Sequence, residues 1–117
     1  MAEKRMLSRG LIEAEDFLNL SKEAQCLYIH LNLNADDEGV LNNIGPLLRM
    51  VDCKDEAFDE LIQTGYILPV IGNIFAITHW NINNTLSEKR KKKSIYVDVH
   101  RYLDLEDDVY KPKVKVC

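Results

Sequence analysis

The chain has 117 residues, of which 46% are hydrophobic and 29% charged, with a formal net charge of −4. That length holds one compact domain with a short appendage and excludes a second folded domain of ordinary size, while the hydrophobic share excludes disorder over most of the chain. The charged start Met1-Ala2-Glu3-Lys4-Arg5 leads into no apolar run long enough for a membrane span or a signal sequence, so a soluble cytoplasmic protein with no membrane partner is expected.

The apolar residues Leu11, Ile12, Phe17, Leu18 and Leu20 predict a short helix or turn. The first periodic segment follows, Ser21 to Asn34, where Ala24, Leu27, Tyr28 and Leu31 recur at the spacing of one helical face. Ser21 is placed to cap it, with Glu23 near the positive end of the dipole. The helix should stop at Asn34-Ala35-Asp36-Asp37-Glu38-Gly39, because carboxylates oppose the dipole at a C-terminus and Gly39 permits positive φ. Val40 and Leu41 predict a short strand. Asn42 or Asn43 then caps a second helix that tolerates Pro46 in its first turn and has Leu47, Leu48, Met50 and Val51 on its apolar side.

A break at Asp52-Cys53 precedes a third helix, Lys54 to Thr64, with Ala57, Phe58, Leu61 and Ile62 on one face and Gly65 as the residue that ends it. Two short helices around a tight turn predict a helix-turn-helix. Tyr66 to Ile71 and Ile74 to Thr78 are β-branched apolar runs joined by Gly72-Asn73, the pattern of a hairpin. Pro69 cannot donate to a ladder, so its strand should lie at an edge or break there. The order helix, strand, helix, helix, strand, strand is that of a winged helix-turn-helix. The expected class is therefore α+β, mainly helical, with residues 1–84 as the domain and residues 85–117 as a basic segment and tail.

Charge is unevenly distributed. Residues 1–85 carry 6 Lys/Arg against 13 Asp/Glu, and residues 86–117 carry 9 against 6. The basic character concentrates in Lys89-Arg90-Lys91-Lys92-Lys93, the first place to expect phosphate contact, with Lys4, Arg5, Arg9, Arg49 and Lys54 as further candidates. The third helix opposes such contact, since Asp55, Glu56, Asp59 and Glu60 outnumber Lys54 and no Arg is placed to read guanine.

The stretches Leu31-Asn32-Leu33-Asn34-Ala35-Asp36-Asp37-Glu38-Gly39-Val40-Leu41-Asn42-Asn43, Leu48-Arg49-Met50 and Ile77-Thr78-His79-Trp80-Asn81-Ile82-Asn83-Asn84 resemble the N-terminal domain of bacteriophage replisome organisers, replication initiators similar to the primosomal protein DnaD. The likeness spans residues 4–90, and Thr85-Leu86-Ser87-Glu88-Lys89-Arg90 departs from the family's pattern. It implies a winged-helix domain that binds origin DNA or self-associates and helps recruit helicase-loading proteins.

Other constellations carry less. Cys26, Cys53 and Cys117 include no C-x-x-C pair, so neither zinc nor a disulfide framework is expected, and two of them should lie at or near the core. Asp36, Asp37 and Glu38 lack EF-hand spacing and read as a charged turn. Trp80 should be buried with its ring N–H bonded. No nucleophile elbow or phosphate-cradling loop occurs, so neither catalysis nor a cofactor is expected. Ser94 to Leu103 reads as a strand or as a segment that pairs with another chain, and Leu105 to Lys113 as a loose tail. Two roles stay open: a DNA-associated replication module, and a protein-interaction or homo-oligomerisation module on the same fold.

Overall fold

The structure, a computed structural model, describes residues 6–42, 44–84 and 99–112, with side chains in the last stretch from Arg101 onward. Two single helical turns come first, α1 (Arg9–Ile12) and α2 (Glu15–Leu18). They lead into the long helix α3 (Lys22–Asn34). Its start follows the capping rule: the Ser21 hydroxyl accepts from the Ala24 N–H at 3.1 Å. Ala24, Leu27, Tyr28 and Leu31 are all buried, as their spacing requires. The helix ends because Asp36 offers the backbone another partner. Its Oδ1 accepts from the N–H groups of Glu38 at 2.9 Å and Val40 at 3.0 Å, and Gly39 turns the chain at φ +78°.

Next come β1 (Val40–Asn42), α4 (Ile44–Met50) and α5 (Asp55–Gln63). Pro46 sits in the first turn of α4, where no N–H is needed. Both helices end in the same device. After α4, Asp52 takes positive φ while Cys53 N–H donates to the Leu48 carbonyl at 2.9 Å and Asp52 N–H to Arg49 at 3.3 Å. After α5, Gly65 takes positive φ while Tyr66 N–H donates to Leu61 at 2.9 Å and Gly65 N–H to Ile62 at 3.1 Å. Each is a Schellman closure that satisfies otherwise orphaned carbonyls, and the first makes the tight bend between α4 and α5.

The hairpin β2 (Ile67–Ile71) and β3 (Ile74–Ile77) turns at Gly72-Asn73. With β1 it forms an antiparallel sheet of order β1-β3-β2. Pro69 lies on the edge strand, and the register shifts between Pro69 and Ile71, so the sheet loses no interior bond to the missing N–H. One turn of helix, α6 (Trp80–Asn83), follows. Trp80 is fully buried and its Nε1–H donates to the Asp37 carbonyl at 2.9 Å. Around it the core gathers residues from every preceding element except α1, and Phe17, Tyr28 and Tyr66 meet edge to face with ring centres 5.3 to 5.7 Å apart.

Four sequence expectations need correction. Met50 is 69% exposed, because Ile44, Leu47, Leu48 and Val51 already form the stripe of α4 and position 50 falls off it. Cys26 is exposed, on the side of α3 away from Ala24, Leu27 and Tyr28, while Cys53 is half-buried. Val99 to Tyr102 forms a helical turn, α7, within the stretch expected as a strand or as a segment that pairs with another chain. The expected loose tail contains a second hairpin, β4 (Leu103–Glu106) and β5 (Val109–Pro112), whose Leu103 and Tyr110 are buried in the core. The Tyr110 N–H donates to the Thr78 carbonyl at 2.9 Å and its hydroxyl to the Glu38 carbonyl at 2.8 Å. Cys117 and residues 94–98 lie outside the described residues.

Candidate nucleic-acid interface

Of the ten residues proposed for phosphate contact, Lys4, Arg5, Lys89, Arg90, Lys91, Lys92 and Lys93 lie outside the described residues. The remaining three, Arg9, Arg49 and Lys54, lie on separate elements or their flanks. Arg9 Nε donates to the Glu13 carboxylate at 3.0 Å, an exposed pair one helical turn apart that is worth about 0.3 to 0.5 kcal/mol. Arg49 is exposed at the end of α4, with its guanidinium folded back toward Gly45. Lys54 is exposed just ahead of α5, where its backbone N–H donates to the Glu23 carboxylate at 3.1 Å.

The outward side of α5 is acidic. Asp55, Glu56 and Asp59 are exposed. Glu60 instead receives the Ser21 N–H at 2.8 Å and the Ser21 hydroxyl at 2.7 Å. Those two donors, the backbone one first, hold its carboxyl below the ordinary glutamate range. Glu60 therefore joins α5 to the start of α3, and Glu23 joins α3 to the start of α5. Two of the acidic residues between these helices are thus fasteners, which the charge pattern alone did not reveal. The adjoining hairpin carries no charged residue from Tyr66 to Thr78, so it offers no cation to a phosphate.

The segment His79 to Asn84 is structural. Asn83 Nδ2 donates to the Tyr28 hydroxyl at 2.9 Å and to Asn32 Oδ1 at 3.3 Å, and its Oδ1 accepts from the Ser8 N–H at 2.8 Å. Asn84 Oδ1 accepts from the Met6 N–H at 2.7 Å. Asn32 in turn donates to the Tyr28 carbonyl at 2.8 Å. Burial pushes the Tyr28 phenol up to about 12, against the opposing pull of its bond from Asn83, so it stays neutral in this network. The asparagines thus tie the start of the chain to α3 and α6. Sequence reasoning used them only as a likeness, because an Asn in a single turn gives no periodic signal of burial.

His79 stands at the end of β3, half-buried against the Tyr66 ring. Burial pulls its imidazole below the ordinary value. It lines a cleft of about 590 Å³ with Leu11, Asp16, Asn19, Thr64 and Tyr66. Among the described residues no group of three His, Cys, Asp or Glu side chains could hold a metal ion, and no helix is long and apolar enough to cross a membrane. No protein-family model, curated protein or solved structure matches the chain.

Proposed function

We propose that this chain is a non-catalytic winged-helix module of phage-type replication initiation that associates with DNA through the phosphate backbone. The observation that supports the reading is topological: α3, β1, α4, a tight bend, α5 and a hairpin, on a sheet of order β1-β3-β2, follow in the order expected of a winged helix-turn-helix. In that fold the second helix of the helix-turn-helix usually enters the major groove. Here Asp55, Glu56 and Asp59 on α5 would meet phosphates as like charges, which argues against base reading. The binding energy is assigned to Lys89-Arg90-Lys91-Lys92-Lys93, with Lys4, Arg5, Arg9, Arg49 and Lys54 in support. A helicase loader is the kind of replication protein such a module would help to place.

The test is a salt-titrated binding assay on duplex and single-stranded DNA. Each phosphate contact contributes about −0.9 to the log–log salt slope on duplex and about −0.7 on a single strand. Replacing Lys89 to Lys93 by Ala should lower affinity and flatten that slope on both substrates. Unchanged retention would remove the DNA reading. A second reading, a protein-association module on the same fold, is favoured by the exposed carboxylates of α5 and by the exposed Ile29 and Leu33 of α3.

A further inference from the structure

Side-chain bonds at two places fix how α5 lies along α3. Ser21, at the start of α3, donates to Glu60 in the last turn of α5, through its N–H at 2.8 Å and its hydroxyl at 2.7 Å. Glu23, two residues further on, accepts from the Lys54 N–H just ahead of α5 at 3.1 Å. Moving forward along α3 from Ser21 to Glu23 thus means moving back along the chain from Glu60 to Lys54.

One step further in each direction stands a thiol. Cys26 lies one helical turn past Glu23, and residues at that spacing are neighbours, with Cβ atoms about 5 to 6 Å apart. Cys53 immediately precedes Lys54. The two sulfurs share this corner closely enough to act on each other: burial first, then Glu23, Cys26 and Asp52, push the Cys53 thiol above its ordinary value. They differ in access. Cys26 is exposed, whereas Cys53 is half-buried, with its N–H bonded to the Leu48 carbonyl at 2.9 Å.

We propose that Cys26 and Cys53 form a reversible oxidation site, at which a low-molecular-weight disulfide such as oxidised glutathione installs a bridge between α3 and the bend that joins α4 to α5. Cys26 reacts first, because it is the one open to a reagent in solution. Its thiolate attacks one sulfur of the glutathione disulfide, forming a mixed disulfide and releasing one glutathione thiolate. The Cys53 sulfur, its proton passed to solvent, then attacks the Cys26 sulfur and expels the second glutathione thiolate. Each released thiolate takes up one proton, so two protein thiols are oxidised while one glutathione disulfide is reduced to two thiols. Holding Cys53 beside the mixed disulfide makes this second step intramolecular, which offsets the lower reactivity of a thiol that ionises less readily. The bridge adds a covalent fastener to those already made by Glu23 and Glu60, and pins the bend of the helix-turn-helix to α3. In a reducing compartment such a bond is a transient, redox-sensing one rather than a permanent staple. The site is independent of DNA contact and goes beyond the function proposed above.

The test treats the full chain, folded and dilute, with oxidised glutathione, and reads the products by non-reducing intact-mass and peptide mass spectrometry. A monomeric product two hydrogens lighter than the reduced chain is expected, with Cys26 and Cys53 in one cross-linked pair of peptides. Cys53→Ser should stop at the first step and keep glutathione on Cys26. Cys26→Ser should lose the bridge, and Cys117→Ser should leave it unchanged. The bridged chain should unfold at a higher urea midpoint than the reduced one and return to it when reductant is added, since the closed loop restricts the unfolded chain. Circular dichroism checks that each variant keeps its fold. A folded chain that forms no bond between Cys26 and Cys53, a bond that forms only once urea has unfolded the chain, or a bridge that runs to Cys117 instead would each overturn the proposal.

Discussion

From Tyr66 to Thr78 the hairpin β2–β3 carries no charged residue and turns at Gly72-Asn73, whereas β4–β5 carries five charged residues and turns at Asp107-Asp108, both at positive φ. The first pairs with β1 and buries Ile67, Ala76 and Ile77 along its length. The second is not part of that sheet; it buries Leu103 and Tyr110 and bonds the rest of the chain at Thr78 and Glu38. A hairpin can therefore be held by a spread of apolar contacts or, among the described residues, by the buried pair Leu103 and Tyr110 with Tyr110 as the hydrogen-bonded anchor, and the two modes should respond differently to substitution.

The largest expected effect is at that anchor. Tyr110→Ala should destabilise the protein by about 3 to 5 kcal/mol in urea unfolding, since it removes a fully buried ring and a hydroxyl bond. Tyr110→Phe should cost about 1 to 3 kcal/mol, because the Glu38 carbonyl is left without its buried donor. A loss below 1 kcal/mol for the alanine variant, on the same order as a surface substitution, would show that the anchor does not hold. At the turns the signs should differ. Gly72→Ala forces a side chain into positive φ and should cost about 1 to 2 kcal/mol. Asp108→Gly relieves the same strain and should stabilise by up to about 1 kcal/mol; equal signs in thermal unfolding would contradict the backbone assignment.

The smallest effect is of pH, at the end of the first hairpin. Burial lowers the His79 pKa in the folded chain, so the unfolded chain takes up the proton first as pH falls. This contribution to stability is complete above about 6.5, the ordinary histidine value, and declines as pH drops from there toward the folded value. His79→Gln should flatten the urea midpoint over that interval. The Glu60 contribution has the same sign but is lost only at lower pH, below about 4.3, so the two can be separated.

The two hairpins also differ in how far their residues reveal them. β2–β3 announces itself through continuous β-branched runs and a turn dipeptide, and α3 and α5 through period and caps. The bend at Asp52-Cys53 was legible because a helical stripe stops and restarts there. β4–β5 is not legible because Leu-Asp-Leu-Glu-Asp-Asp-Val-Tyr-Lys-Pro has the composition of a solvated tail, and the burial of Leu103 and Tyr110 against residues distant in sequence leaves no local trace. Cys26 was misplaced for a related reason: small apolar character predicts burial only when the position lies on the inward side. The candidate interface is legible as composition alone, since seven of its ten cations fall outside the described residues.

Gly39 packs so closely on Trp80 that a Cβ there would overlap the indole, and the same indole donates to the Asp37 carbonyl. Trp80 is the single tryptophan of the chain. Its fluorescence is consequently a built-in reporter for the loop that joins the long helix to the sheet: blue-shifted emission while Gly39 and the ring stay in register, and a red shift when that loop opens, whether or not the distant helices have melted.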